Sequence, residues 1–455
     1  MTDRMAGIAA LAVSAMTERE WARFAQSHPK SHKLAQDAQR HFPGSVPMSW
    51  MTDWATPYPI FAERASGARI WDVDGNAYSD FCLGDTGSMF GHSPAPVVQA
   101  LREHADKGLT YMLPTEDAIA VGELLSHRFG LPYWQMATTA TDANRFVLRL
   151  ARGVTGRPKI LVFNGCYHGT VDDTYLRLRG NHQIPRPGLI GQAQDLTAVA
   201  TVVEFNDIDA LEAKLLEGDI AAVICEPVMT NIGMVLPAPG FHEQLRELTR
   251  RYGTLLVIDE THCISTGSGG YTRAYGLEPD FLTLGKPISG GVPSAVYGCT
   301  AEVADRIRKA QQSVPHGHSG IGTTLSANAL SLRLMRVVLE QVMTPHAYGE
   351  MEAMSRALAE GVESVIRTRS LPWHVARVGS RAEIVFAAKP PRNGTEAAAT
   401  LIEPLEKALH LYLINRGVMI APFHNMTLCC PATAKADVEK LVTALGACVD
   451  ELKKG

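Results

Sequence analysis

The feature that most limits how this chain can fold is a phrase repeated through its middle: a helical stretch, a short run of apolar residues, then a polar residue. Residues 120–129 and 143–150 carry helical patterns, the second closed by Gly153, and residues 243–251 carry another. Apolar runs follow at 160–163 (ILVF), 222–225 (AVIC) and 255–258 (LLVI). Fully apolar strands alternating with helices predict an α/β fold whose sheet is mostly parallel and covered on both faces.

The flanks read differently. Residues 68–81 predict two short strands joined by the Asp74-Gly75 turn, after a loop-rich start marked by Pro43, Pro47, Pro57 and Pro59. From near Leu332 a third region runs to the C-terminus, and Val438, Leu441, Val442, Leu445, Cys448, Val449 and Leu452 give its last helix one apolar face. The expected organisation is an N-terminal arm and small-domain part over 1–85, a large domain over 86–331, and a C-terminal small domain over 332–455. A chain of 455 residues is long enough for such a division.

Charge and cysteine usage narrow the partners. With 43 basic against 47 acidic side chains the net charge is −4, which lacks the basic excess of a nucleic-acid or anionic-membrane binder, so small molecules are the expected partners. No stretch reaches the ~18–20 apolar residues of a membrane span. Eight scattered cysteines without a CxxC pair predict buried free thiols, a reducing cytoplasmic setting and no metal site. The apolar stretch 7–16, following Arg4, imitates a signal segment, but Asp3 spoils its positive start and a helix explains it as well.

In an open parallel sheet, ligands bind outside the carboxyl ends of the strands. Here those ends carry Asn164 to Gly169, Glu226-Pro227, Asp259-Glu260-Thr261-His262 and Gly285-Lys286-Pro287. Four polar endings in sequence order point to one shared site. A lysine at a sheet edge loses its proton on desolvation and attacks a carbonyl. A carboxylate such as Asp259, directly after four apolar residues, needs a cation, and the protonated ring nitrogen of pyridoxal phosphate is one.

The run Trp71-Asp72-Val73-Asp74-Gly75 with Tyr78, Asp80-Phe81, Gly91-His92-Ser93-Pro94, Tyr167-His168-Gly169, Glu226-Pro227, Asp259-Glu260, Pro279 through Lys286, and Thr324 to Asn328 resembles the class III, fold-type I pyridoxal-phosphate aminotransferases, the family that includes glutamate-1-semialdehyde aminomutase. The resemblance implies that Lys286 forms the Schiff base and shuttles a proton, and that Asp259 keeps the ring nitrogen protonated. Tyr167 would stack on one ring face and Thr261 stand against the other, with His168 and Glu226 among the cofactor residues. It also implies a phosphate cup at Thr139, Ala140 and Thr141, where a helix start offers unpaired N–H groups. A threonine of the neighbouring subunit, matched by Thr324, completes that cup in the family, so a homodimer is implied.

The departures concern substrate. Thr261 and the pair Met229-Thr230 replace the family's usual valine and glutamine-glycine, and Thr261 either hydrogen-bonds near the cofactor or simply packs. Trp50 and Met51 stand where aminomutase-like relatives carry a carboxylate-gripping arginine. His424 and Asn425 occupy another such region, as anion or hydroxyl binders or as a satisfied structural pair. Arg381 is a candidate anion clamp, a partner for Glu383, or a solvated surface residue. The expected activity is a transaminase passing an amino group from a small-molecule donor to a carbonyl acceptor; an aminomutase, lyase or racemase with the same lysine chemistry is the alternative.

Overall fold

A computed structural model describes residues 4–454. The chain divides into two compact units, one holding Ala95–Pro345 with Pro391–Ala398, the other the residues up to Pro94, His346–Pro390 and those from Ala399 onward. The helix Ala329–Val337 runs through the boundary expected at 331.

The first unit is built on a seven-stranded sheet. Its strands are β1 (Tyr133–Ala137), β2 (Lys159–Phe163), β3 (Ala200–Val203), β4 (Ile220–Cys225), β5 (Leu255–Asp259), β6 (Phe281–Leu284) and β7 (Ala295–Cys299). They lie in the order β3-β2-β4-β5-β6-β7-β1. Neighbours from β3 through β6 are parallel, and β7 runs antiparallel to both β6 and β1. Every residue of β3 to β7 is buried, as expected of a sheet covered on both faces. β1 escapes the sequence reading because it alternates between exposed and covered residues at the sheet edge, and β3 (ATVV) because its apolar run is interrupted by Thr201.

Helix α1 (Ala140–Thr155) packs on β4, β6 and β7. Its start is capped by Thr139, whose Oγ1 accepts from the Asp142 N–H at 3.2 Å. It outruns the expected stop at Gly153, which lies in open space inside the helix, and ends at Gly156, where φ of +68° lets the Gly156 N–H reach the Arg152 carbonyl. Helix α2 (Phe241–Arg251) packs on β5, and its Arg246 grips Asp280 bidentately at 2.7 and 2.9 Å, fixing the turn into β6.

In the second unit, Arg69–Asp72 and Ala77–Asp80 pair antiparallel across the Asp74-Gly75 turn as expected, with Gly75 at φ +90°. His374–Val378, Arg381–Val385 and Met426–Leu428 form an antiparallel sheet. The N-terminal apolar stretch enters the helix Ala10–Ser27, which packs against Glu403–Ile414 and Lys435–Lys454; Ala12, Val13 and Met16 are buried there. All eight cysteines are free thiols and buried. Among the described residues no helix is long and apolar enough to cross a membrane.

Candidate active site

The polar residues that follow β2, β4, β5 and β6 converge. Asp259 closes β5 and is 4 % exposed. Its Oδ2 accepts from Asn144 Nδ2 at 2.8 Å and from His168 Nδ1 at 3.0 Å, while Oδ1 accepts from the Thr261 N–H at 3.1 Å. Burial opposes the charge on Asp259, but the His168 imidazolium and these donors overcome it and hold the carboxyl below its usual range. His168 is raised against its own burial by Cys166 and by its bond to Asp259. Asn144 is fixed from behind, because Thr283 Oγ1 donates to its carbonyl at 2.7 Å. An anchored anion therefore stands at the end of the sheet.

Lys286 follows β6 and takes φ +52°, a left-handed backbone that costs a non-glycine residue on the order of 1 kcal/mol or more. Gly285 before it lies so close to α1 that a Cβ there would sit 2.9 Å from the Ala140 Cβ. Gly169, at φ +81°, approaches the same helix start: a Cβ would stand 2.9 Å from the Thr141 Cα. Thr141 Oγ1 accepts from the Thr170 N–H at 3.1 Å. The Lys286 loop and the Tyr167-His168-Gly169 loop thus meet the N-terminus of α1, where Thr139, Ala140 and Thr141 lie.

Glu226, grouped with the cofactor residues on sequence, spends its carboxylate on protein groups. It accepts from Thr230 N at 3.1 Å, Thr230 Oγ1 at 2.8 Å, Asn231 Nδ2 at 2.9 Å and Tyr167 N at 3.3 Å. It therefore braces the loop that carries Tyr167. His262 is a residue the sequence reading passed over: its Nδ1 lies 2.8 Å from Thr230 Oγ1, and its Nε2 is hydrogen-bonded to Lys286 Nζ. Its place in the polar ending Asp259-Glu260-Thr261-His262 was visible in sequence, but its partners were not. Glu260, fully buried, accepts from the Tyr271 and Thr272 N–H groups, and burial lifts it to about 7.

The residues fit pyridoxal phosphate. The helix start offers N–H groups and threonine hydroxyls to a phosphate, Asp259 offers an anion to a ring N–H, and Lys286 offers an amine to an aldehyde. Thr261 Oγ1 and His168 Nε2 are buried without hydrogen-bond partners among the described residues, the kind of polar atom a bound group satisfies. The chain matches the profile of aminotransferase class-III over residues 50–449. It belongs to that family. Its members take pyridoxal phosphate, and the chain is an enzyme with the family's fold-type I architecture. Among its relatives is glutamate-1-semialdehyde 2,1-aminomutase 2 of Brevibacillus brevis, 34 % identical over 428 residues, covering 91 % of this chain and 97 % of that one. A solved glutamate-1-semialdehyde-aminomutase from Pseudomonas aeruginosa PAO1 is 48 % identical with a TM-score of 0.96, covering 98 % and 100 % of the two chains. A lysine-to-alanine variant of that enzyme was solved in complex with PMP. A β-phenylalanine aminotransferase from Variovorax paradoxus is 26 % identical with a TM-score of 0.85, covering 96 % and 97 %.

The residues expected to meet substrate all belong to the other unit. Trp50 and Met51 lie on the short helix Ser49–Thr52; Trp50 is 48 % exposed and meets the Phe423 ring edge-on at 6.5 Å. Arg381 is fully buried in its strand and donates to Thr86 Oγ1, which removes the solvated-surface reading. Glu383 ion-pairs with His424 at 2.7 Å, and Asn425 bonds the Ile384 carbonyl and His410, so these two are held by protein groups. Thr324 is exposed, in a loop whose Thr323 meets Thr138 at 2.9 Å.

Proposed function

We propose that this enzyme is an aminomutase, moving an amino group between adjacent carbons of one small substrate. The carrying observation is its 48 % identity, over nearly all of both chains, with the Pseudomonas aminomutase, against 26 % with the β-phenylalanine aminotransferase. Pyridoxal phosphate supplies an aldehyde for the substrate amine and a ring that spreads the electrons left when a proton leaves the adjacent carbon. Asp259 holds a proton at the ring nitrogen. Lys286 carries the proton between carbons, and Tyr167 and Thr261 keep water from the two sides of the reacting plane.

The substrate to try first is glutamate 1-semialdehyde, named for the relatives. Moving its amine from carbon 2 to carbon 1 leaves a ketone at carbon 2, an isomer with no atom gained or lost. Holoenzyme given this substrate alone should produce that aminoketone stoichiometrically. Product formed only after a second carbonyl compound is added would overturn the reading and establish a transaminase. One observation favours that second reading: Trp50, standing where aminomutase-like relatives carry a carboxylate-gripping arginine, meets the Phe423 ring edge-on, and this aromatic pair suits an apolar or aromatic amine. We further propose a cytoplasmic homodimer in which Thr324 of each subunit completes the other's phosphate cup; the buried free thiols fit the reducing compartment.

A further inference from the structure

Beside the Tyr167 loop, a hairpin holds two arginines that no carboxylate answers. Its strands, Leu176–Arg179 and His182–Pro185, pair antiparallel with Arg177 opposite Ile184. The Arg186 N–H reaches the Tyr175 carbonyl at 2.7 Å and carries the pairing one step further. Alternate residues of a strand share a face, so Tyr175, Arg177, Ile184 and Arg186 lie on one side of the hairpin. That side is turned to the Tyr167 loop: Arg177 Nη2 donates to the Cys166 carbonyl at 2.6 Å, and the Arg186 guanidinium stands 5.7 Å from the centre of the Tyr167 ring.

The two cations are used differently. Arg177 spends its guanidinium on the Leu176 and Cys166 carbonyls, at 2.7 and 2.6 Å. Burial lowers its affinity for a proton, and the like charge of Arg186 adds to that. Arg186 is exposed and held against two rings, Tyr167 and, at 5.9 Å, Tyr175. Among the described residues its guanidinium makes no hydrogen bond and no ion pair, so its five N–H donors are uncommitted. The acids nearby are engaged elsewhere or apart: Asp173 pairs with Arg152 at 2.6 Å, Glu226 accepts from Thr230 and Asn231, and Asp172 forms an ion pair with neither arginine.

We propose that Arg186 receives a carboxylate of the substrate at the rim of the site, with Tyr167 and Tyr175 holding the guanidinium in place and Arg177 adding positive charge beside it. The fork of a guanidinium matches the two oxygens of a carboxylate, and rings against its faces leave the edge that carries the donors open. The substrate class is therefore an amine that also carries a carboxylate. The inference rests on the aminomutase reading only in needing a substrate of that class, which glutamate 1-semialdehyde is.

The test titrates holoenzyme with 4-aminobutyrate and with butylamine, following the visible band of the lysine-bound cofactor. The first has the same run of carbons between amine and carboxylate as glutamate 1-semialdehyde; the second lacks the carboxylate. Wild type should respond to 4-aminobutyrate at about tenfold lower concentration or less, the worth of one charge-assisted pair. Arg186→Gln should lose that preference while its response to butylamine stays the same, and Arg186→Lys should recover part of it. A merely structural role would move both amines together. Wild type that responds equally to both, or better to butylamine, overturns the proposal, as does a preference retained in Arg186→Gln. Pyridoxal phosphate should bind cofactor-free Arg186→Gln as it binds wild type; weaker binding with the amine preference intact would assign Arg186 to the cofactor phosphate and overturn the proposal. The aminomutase reading is judged separately, by product formed from glutamate 1-semialdehyde alone, so either can fail without the other.

Discussion

Asp259 accepts from Asn144, His168 and the Thr261 N–H and is held below the usual carboxylate range, so it is an ionised carboxylate inside the protein. That charge is what a protonated ring nitrogen needs. Asp259→Asn preserves the shape and removes the charge; turnover should fall by roughly a hundredfold or more while the visible band of the lysine-bound cofactor persists. Turnover within about threefold of wild type would remove Asp259 from its role. Lys286 and Asp259 were legible in sequence because each is a polar residue ending an apolar run, and a buried charge without a partner is too costly to be incidental. Thr139 and Thr141 were legible as the start of a helix. His262, Thr230 and Asn144 were not, since their meaning lies in hydrogen bonds between residues far apart along the chain. Glu226 was found, but its work as a brace for the Tyr167 loop needed the coordinates.

At the scale of elements, the site is made by close backbone approaches to the start of α1. Gly169 tests this directly. A methyl group there would meet Thr141 at 2.9–3.0 Å and would force alanine into φ +81°. Gly169→Ala should therefore push the Tyr167 loop away from the helix start and weaken cofactor binding about tenfold or more, equivalent to roughly 1.4 kcal/mol, measured by fluorescence titration of the cofactor-free protein. Unchanged affinity would show that the loop does not shape the cup. The strands β2, β4 and β5 were readable because burial on both faces writes an unbroken apolar run. Strand β1 was not, because its half-exposed edge pattern, Tyr133 to Ala137, lacks that signature. The end of α1 was misplaced for a related reason: glycine alone does not stop a helix, and only the left-handed turn at Gly156 does.

At the scale of the whole molecule, buried acids make stability depend on pH. Glu406, 9 % exposed, is lifted by burial from 4.5 to about 7, with Glu383 adding to the lift and His424 opposing it. Between those values the folded protein holds a proton that the unfolded chain has released, so stability falls as pH rises through this window and stays lower above it. Glu406→Gln should therefore raise the melting temperature above neutral pH, by on the order of 2 kcal/mol of stability, and change it little below about pH 4.5. An equal effect at both pH values would assign the change to packing rather than ionisation. The sequence by itself determined the α/β class and the polar residues at the strand ends, since periodicity and the order of polar endings are local properties, and its resemblance to the class III aminotransferases carried the family and the cofactor. Tertiary structure alone decided which strand lies beside which, that Arg381 is buried, that His424 and Asn425 are held by protein partners, and that His262 stands against Lys286. Those facts depend on how distant segments pack, and a hydrogen bond between residues that only the fold brings together leaves no periodic trace in the chain.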